Sequence, residues 1–279
     1  MSNKVIDLLN KKRTVAQGVG PEEVRAMALE AAKRAQQKIG GGMFGQVYET
    51  APGVVTKEIV LERKQKLLNE INMQARAAEL GIAPQIQSAS LMPPRIGQTV
   101  VDIEPGFNPN LRGEIEMQDL RTNYVPLGVN VGDPYAHYRT PDFTGGPPPG
   151  KIVALNPSLT NQQIQKAKLD THKQLAQLAL NNISLTDRHS ENIFVNKMTG
   201  RPIQIDFGFS EQIVTPMQKA AVLSKHVKNG LDAAGLPEEA SIFYATTSSL
   251  LTTDPEMALD VAKQGLSRLQ KIKAPIQGM

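Results

Sequence analysis

The stretch Asp187-Arg188-His189-Ser190-Glu191-Asn192, followed shortly by Asp206-Phe207-Gly208, constrains this chain more than any other. Between the two lie Ile193-Phe194-Val195, a polar run from Asn196 to Pro202 that contains Gly200, and Ile203-Gln204-Ile205. Two short apolar runs about a Gly/Pro turn predict a β-hairpin. Such a hairpin returns Asp206 to the end from which Asn192 departs, so two oxygen donors there could hold one divalent cation. Asp187, just upstream, could accept a proton from an attacking hydroxyl. Those are the parts that phosphoryl transfer requires. Taken singly they are a capping Asp, a turn Asn and an ordinary hairpin. Their placement on opposite arms of one hairpin gives them weight, and a nucleotide cradle in the N-terminal half would decide the matter.

Composition narrows the chemistry. The 279 residues include no cysteine, which excludes disulfides, thiolate metal sites and cysteine nucleophiles. The four histidines (137, 172, 189 and 226) have no zinc spacing, so a metal should be hard and oxygen-bound, Mg²⁺ or Mn²⁺. The net charge of +4 is spread along apparent helices, and only 4% of residues are aromatic, with no Trp. Specific nucleic-acid binding by base stacking is therefore not expected. No apolar run approaches the roughly 20 residues that span a bilayer. Residues 1–13 lack the pattern of a secretory signal. The expected location is the cytoplasm, of its own cell or of a host into which the chain is delivered.

The N-terminal half does supply candidates. Residues 1–20 predict a short helix and a linker, and Pro21-Glu22-Glu23 opens a packing helix through about Lys38. Gly40, Gly42 and Gly45, with Val47, then satisfy G-x-G-x-x-G-x-V between residues that favour strands. Glycines serve where backbone must approach phosphate without a Cβ in the way, although this match alone better describes a flexible glycine turn. Val54 to Ile59 predicts the next strand and carries Lys57, a cation that needs a partner among apolar neighbours. A helix from about Glu62 to Leu80, stopped by Gly81 and Pro84, offers Glu70 as that partner, with Glu62 and Glu79 worse placed. Strands are expected over 98–103 and 113–120. Residues 121–160, with seven prolines and five glycines, fit no regular element. A helix from Thr160 to Leu180 leads to the Asp187 loop, and two or three more are expected, near 216–234, 237–250 and 254–272.

In this order the parts resemble the protein-kinase-like superfamily over roughly residues 36–210. The resemblance implies an α+β, two-lobed fold: a small antiparallel-sheet N-lobe and a reduced, mostly helical C-lobe. It divides the chain into an N-terminal helical extension (1–35), N-lobe and hinge (36–120), a Pro/Gly-rich insertion (121–160) and the C-lobe (161–279). Gly40, Gly42 and Gly45 would cover the phosphates of ATP, and Lys57, held by Glu70, would contact the α/β-phosphates. Val47, Val55 and Phe194 would enclose the adenine, while backbone at 116–120, around Met117, would read its edge. For Val47 and Phe194, plain core packing is an equal alternative. Asn192 and Asp206 would bind Mg²⁺ and Asp187 would act on the acceptor hydroxyl, with His189 the rival base.

The departures carry information as well. Thr186 precedes the catalytic Asp, and Asp-Arg-His-x-x-Asn resembles the catalytic loop of phosphatidylinositol-3/4-kinase-related enzymes. Val55 makes a bulky adenine roof, Gln74 is polar where an apolar residue is common, and no A-P-E follows Gly208. An atypical, minimal kinase is implied, with ATP and a hydroxyl-bearing acceptor, foremost a protein Ser/Thr, as partners. The alternatives are a lipid or small-molecule kinase, transfer of AMP, and a nucleotide-binding module without turnover. Tyr124, Tyr135, His137, Tyr138, Arg139 and Phe143 make 121–160 either an acceptor-recognising loop or a spacer. Replacing Lys57 by Met is expected to leave the fold intact.

Overall fold

The computed structural model describes residues 38–42, 45–61, 64–92, 111–130, 153–186 and 190–273. They form two compact units, one from residues up to 78 together with 84–120, the other from 79–83 together with 121 onward. Both mix α and β, and every strand pairing described is antiparallel.

The described part of the first unit holds a five-stranded sheet in the order β1-β2-β3-β5-β4. Its strands are β1 (Lys38–Gly42), β2 (Gly45–Ala51), β3 (Val54–Leu61), β4 (Ile86–Met92) and β5 (Leu111–Gln118). Helix α1 (Lys64–Glu79) lies on one face. The alternation of side chains along a strand explains the packing. Val55 and Ile59 of β3, Ala89 of β4 and Ile115 and Met117 of β5 all turn to α1 and pack on Leu67 and Ile71. The intervening residues Thr56, Glu58 and Arg112 are buried on the other face, where Arg112 and Glu58 form an ion pair. Strand β4 was not anticipated, because Ile86-Gln-Ser-Ala-Ser-Leu-Met is poor in β-branched residues and takes its conformation from pairing with β5. The strand expected at 98–103 lies outside the described residues. So does the helix expected over 21–38 except for Lys38, which opens β1.

The described part of the second unit is built on four α-helices: α2 (Asn161–Leu180), α3 (Pro216–Ala233), α4 (Pro237–Leu251) and α5 (Pro255–Lys271). Leu169 and Ala176 of α2, Leu223, Val227 and Leu231 of α3, and Leu266 and Leu269 of α5 share one core. Capping boxes start two of these helices: Thr160 with Gln163, and Thr215 with Gln218. Left-handed backbone at Gly81 (φ 68°) ends the turn after α1, and a Cβ there would stand 2.8 Å from Arg201 Nη2. That guanidinium donates to the Gly81 carbonyl at 3.0 Å.

Three small sheets, of three, two and two strands, complete the unit's described part. They correct the expectation that 121–160 lacks regular structure. Its two described ends hold β6 (Tyr124–Pro126), β7 (Gly128–Asn130) and β8 (Val153–Leu155). Each has three residues, too few to show a period, and each exists through a distant partner. Thus β6 pairs with β10 (Ile193–Asn196), and Leu127 N donates to Ile193 O at 2.7 Å. Residues 131–152, with Tyr135, His137, Tyr138, Arg139 and Phe143, lie outside the described part.

Gly265 of α5 is required for helix contact. A Cβ there would fall 2.4 Å from Phe243 Cε2, 2.8 Å from Cζ and 3.0 Å from Val227 Cγ1. Gly265→Ala should gain about 1 kcal/mol of helix propensity. It should lose about 1–3 kcal/mol to overpacking between two neighbours. A lower thermal midpoint is expected, and an unchanged or raised one would show that Phe243 can turn aside.

Candidate functional site

In the first unit, strand pairing sets the positions of the glycines and of Lys57. Gly42 lies opposite Gly45, and Gly40 opposite Val47, so the glycine-rich segment is the end of the β1–β2 hairpin. Residues 43 and 44 lie outside the described part. Val47 in turn opposes Lys57, and Lys57 opposes Ile115, which puts the lysine on the inner face, the side of α1. There its Nζ lies 2.7 Å from Glu70 Oε1. The lysine side chain is 15% exposed and the glutamate 3%, so this pair is largely out of water. Glu70 reaches it because α1 presents positions 67, 70, 71 and 74 on one face, the helical repeat. Glu79, the weaker candidate partner, is exposed at the end of the helix, and Glu62 lies outside the described part.

Val55 and Met117 are buried members of the same core, and Val47 packs against it half-buried. Gln74, one turn after Glu70, is also buried. Its Nε2 donates to Pro84 O at 3.3 Å and approaches Met117 Sδ at 3.7 Å.

In the second unit, β10 (Ile193–Asn196) and β11 (Pro202–Gln204) pair as the expected hairpin, with Ile193 opposite Gln204 and Val195 opposite Pro202. Ile205 N donates to Asn192 O at 2.9 Å and extends the ladder one step. Asn192, buried in a single 3₁₀ turn (Ser190–Asn192), and Asp206 therefore stand at the same end of the hairpin. Ile193 and Val195 face the core, whereas Phe194 between them is half-buried on the opposite side of the strand. Asp187 and His189 lie outside the described residues.

Asp206 has φ 62°, a left-handed conformation that a non-glycine residue rarely adopts. The only other described non-glycine residue like it is Asn182 (φ 63°), which sits just past the end of α2, an ordinary helix stop. No such helix end explains Asp206, and strain of this kind persists only where the surroundings enforce it. The surroundings are visible. Phe207 is fully buried, Gly208 N donates to Asp206 Oδ1 at 3.4 Å, and Ser210 N donates to Phe207 O at 3.0 Å. Thr186 Oγ1 donates to Phe209 O, and β12 (Ser210–Gln212) pairs with β9 (Ile183–Leu185). These two strands were missed from sequence for the same reason as β6: three residues carry no periodic signal.

Two oxygen donors at one hairpin end suit Mg²⁺, which binds through one or two side chains and completes its shell with water and phosphate oxygens. Among the described residues, no group of three or more His, Asp or Glu is placed to hold a metal. None of the described helices is long and apolar enough to cross a membrane. Compared with known proteins, the chain matches no family model and no curated protein.

Proposed function

We propose that this chain is an ATP- and Mg²⁺-dependent phosphotransferase on a two-lobed, protein-kinase-like fold, passing the γ-phosphoryl group of ATP to a hydroxyl. The observation that carries the reading is the hairpin 193–205, which sets Asn192 and a left-handed Asp206 at one end. In this reading Asn192 Oδ1 and the Asp206 carboxylate hold Mg²⁺, which when bound would offset the charge of the triphosphate. Lys57, kept in place by Glu70, contacts the α/β-phosphates, and Gly40, Gly42 and Gly45 offer backbone N–H groups to phosphate oxygens. Val47, Val55, Met117 and Phe194 provide the apolar surround of the adenine. Asp187 orients the acceptor hydroxyl and takes its proton, and His189 is the rival for that role.

A protein Ser/Thr is the acceptor this reading puts first. One observation favours a second, a lipid headgroup or small molecule. After Gly208 the chain passes through the three-residue strand Ser210–Gln212 straight into α3 at Pro216. That leaves little length on which an extended peptide could lie.

The test is incubation with γ-labelled and α-labelled ATP in parallel, read by label transfer and intact mass. Transfer of the γ label alone is expected. Transfer of the α label would make the chain an AMP transferase, and absence of both, with nucleotide still bound, a binding module.

A further inference from the structure

We propose that Gln74 is a positioning residue, a polar clamp that sets the height of α1 on the sheet and so holds Glu70 against Lys57. The inference deepens the phosphotransferase reading, on which it rests for the role of Lys57. Gln74 is out of character with its surroundings. The buried face of α1 carries Leu67, Ile71, Met73, Ala77 and Ala78, yet Gln74 lies among them with 2% of its surface exposed. A buried amide is costly unless it is hydrogen-bonded, and a hydrocarbon of similar size would avoid that cost. Packing alone does not call for glutamine here.

Direction is what an amide adds. An apolar side chain is satisfied by any neighbour that fills space, so α1 could slide or turn slightly over Ile115 and Ala89 at little cost. The Gln74 amide is satisfied at one setting of the helix, where Nε2 reaches Pro84 O at 3.3 Å and Met117 Sδ at 3.7 Å. Its two contacts lie on different segments, the turn before β4 and the last turn-side residues of β5. A second tether supports the same end of the helix. Gln85 Nε2 donates to Ala78 O at 3.3 Å, and Gln118 N donates to Gln85 O at 3.1 Å, which joins α1 to the end of β5 through the chain that leads into β4. Glu70 lies one helical turn from Gln74 on the same face, and one turn of α-helix moves as a rigid piece. Fixing Gln74 therefore fixes the carboxylate that meets Lys57 Nζ at 2.7 Å.

The clamp can be tested without relying on turnover. An amine must lose its proton to be acylated, and an adjacent carboxylate disfavours that loss. The rate at which an N-hydroxysuccinimide ester acylates Lys57 thus reports how closely Glu70 is held. It is measured on the nucleotide-free full chain at one pH, from the peptide that carries Lys57, with exposed Lys263 as internal control.

In Gln74→Leu, and in Gln74→Met, which matches glutamine in length, Lys57 acylation should rise about three- to tenfold, the factor one neutral hydrogen bond is worth. ATP turnover should fall by a similar factor. The thermal midpoint should stay level or rise, because the buried amide has been replaced by hydrocarbon. An unchanged acylation rate in the variants that fold would overturn the clamp. So would a rise that comes only with a lower midpoint, since general loosening would then account for it. Failure of the phosphotransferase reading would show separately, as absence of turnover in the unaltered chain, and would leave the acylation result standing.

Discussion

Asp206→Asn is expected to reduce ATP turnover by about 10²–10³-fold, the scale set by loss of a fixed electrostatic partner of the reacting group. Mg²⁺-dependent tightening of nucleotide binding should disappear with it. The amide keeps the shape of the side chain and tolerates left-handed backbone, so the change removes charge and little else. Asp206→Gly provides the complementary experiment. With φ at 62°, residue 206 stands where glycine is at ease and most other residues are strained by roughly 1–2 kcal/mol, aspartate by less. The glycine variant should therefore be at least as stable as the parent chain while being equally inactive. Titration of nucleotide with and without Mg²⁺, alongside thermal unfolding, checks both halves. Turnover at the parent level in either variant would end the phosphotransferase reading. A large drop in stability of the glycine variant would show that the Asp206 carboxylate serves mainly to hold its own loop.

The parts legible in the sequence were those whose signal is local. The hairpin 193–205 announces itself through two apolar runs about Gly200, and three of the helices through their starts at Thr160, Pro237 and Asp254-Pro255. Glu70 could be picked out for Lys57 because an interior strand lysine needs a carboxylate and the helical repeat offers few. What escaped depends on distant partners. Strand β4 is a Ser-Ala-Ser segment made regular by β5, and β6, β9 and β12 are three-residue pieces that acquire strand geometry from residues tens of positions away. The left-handed Asp206 also escaped, since aspartate carries no sequence mark for that backbone. Gln74 was visible only as an oddity, and its meaning depends on the carbonyl and sulfur atoms that surround it.

Lys57→Met should eliminate most turnover and also weaken the fold, which revises what the sequence alone implies for this substitution. The lysine is paired with a glutamate only 3% exposed, in a core of Leu67, Ile71 and Ile115. Taking away the ammonium leaves the Glu70 carboxylate without it in that setting. Breaking a buried pair from one side costs about 3–5 kcal/mol. A fall in activity from the single variant would thus have two readings, lost phosphate contact or lost structure. The double variant Lys57→Met/Glu70→Leu separates them. Removing both charges and filling the space with hydrocarbon should return stability to the parent value or above it, because a buried ion pair gains little over well-packed apolar side chains. Turnover should not return with it, since no cation remains to meet the phosphates. Denaturant unfolding and γ-phosphoryl transfer, measured on the same preparations, supply the two coordinates. If stability and turnover recover together, Lys57 is a structural residue and its contact with ATP must be abandoned. If stability recovers while turnover stays about 10²-fold or more below the parent chain, the pair owes its place to chemistry and not to the stability of the sheet.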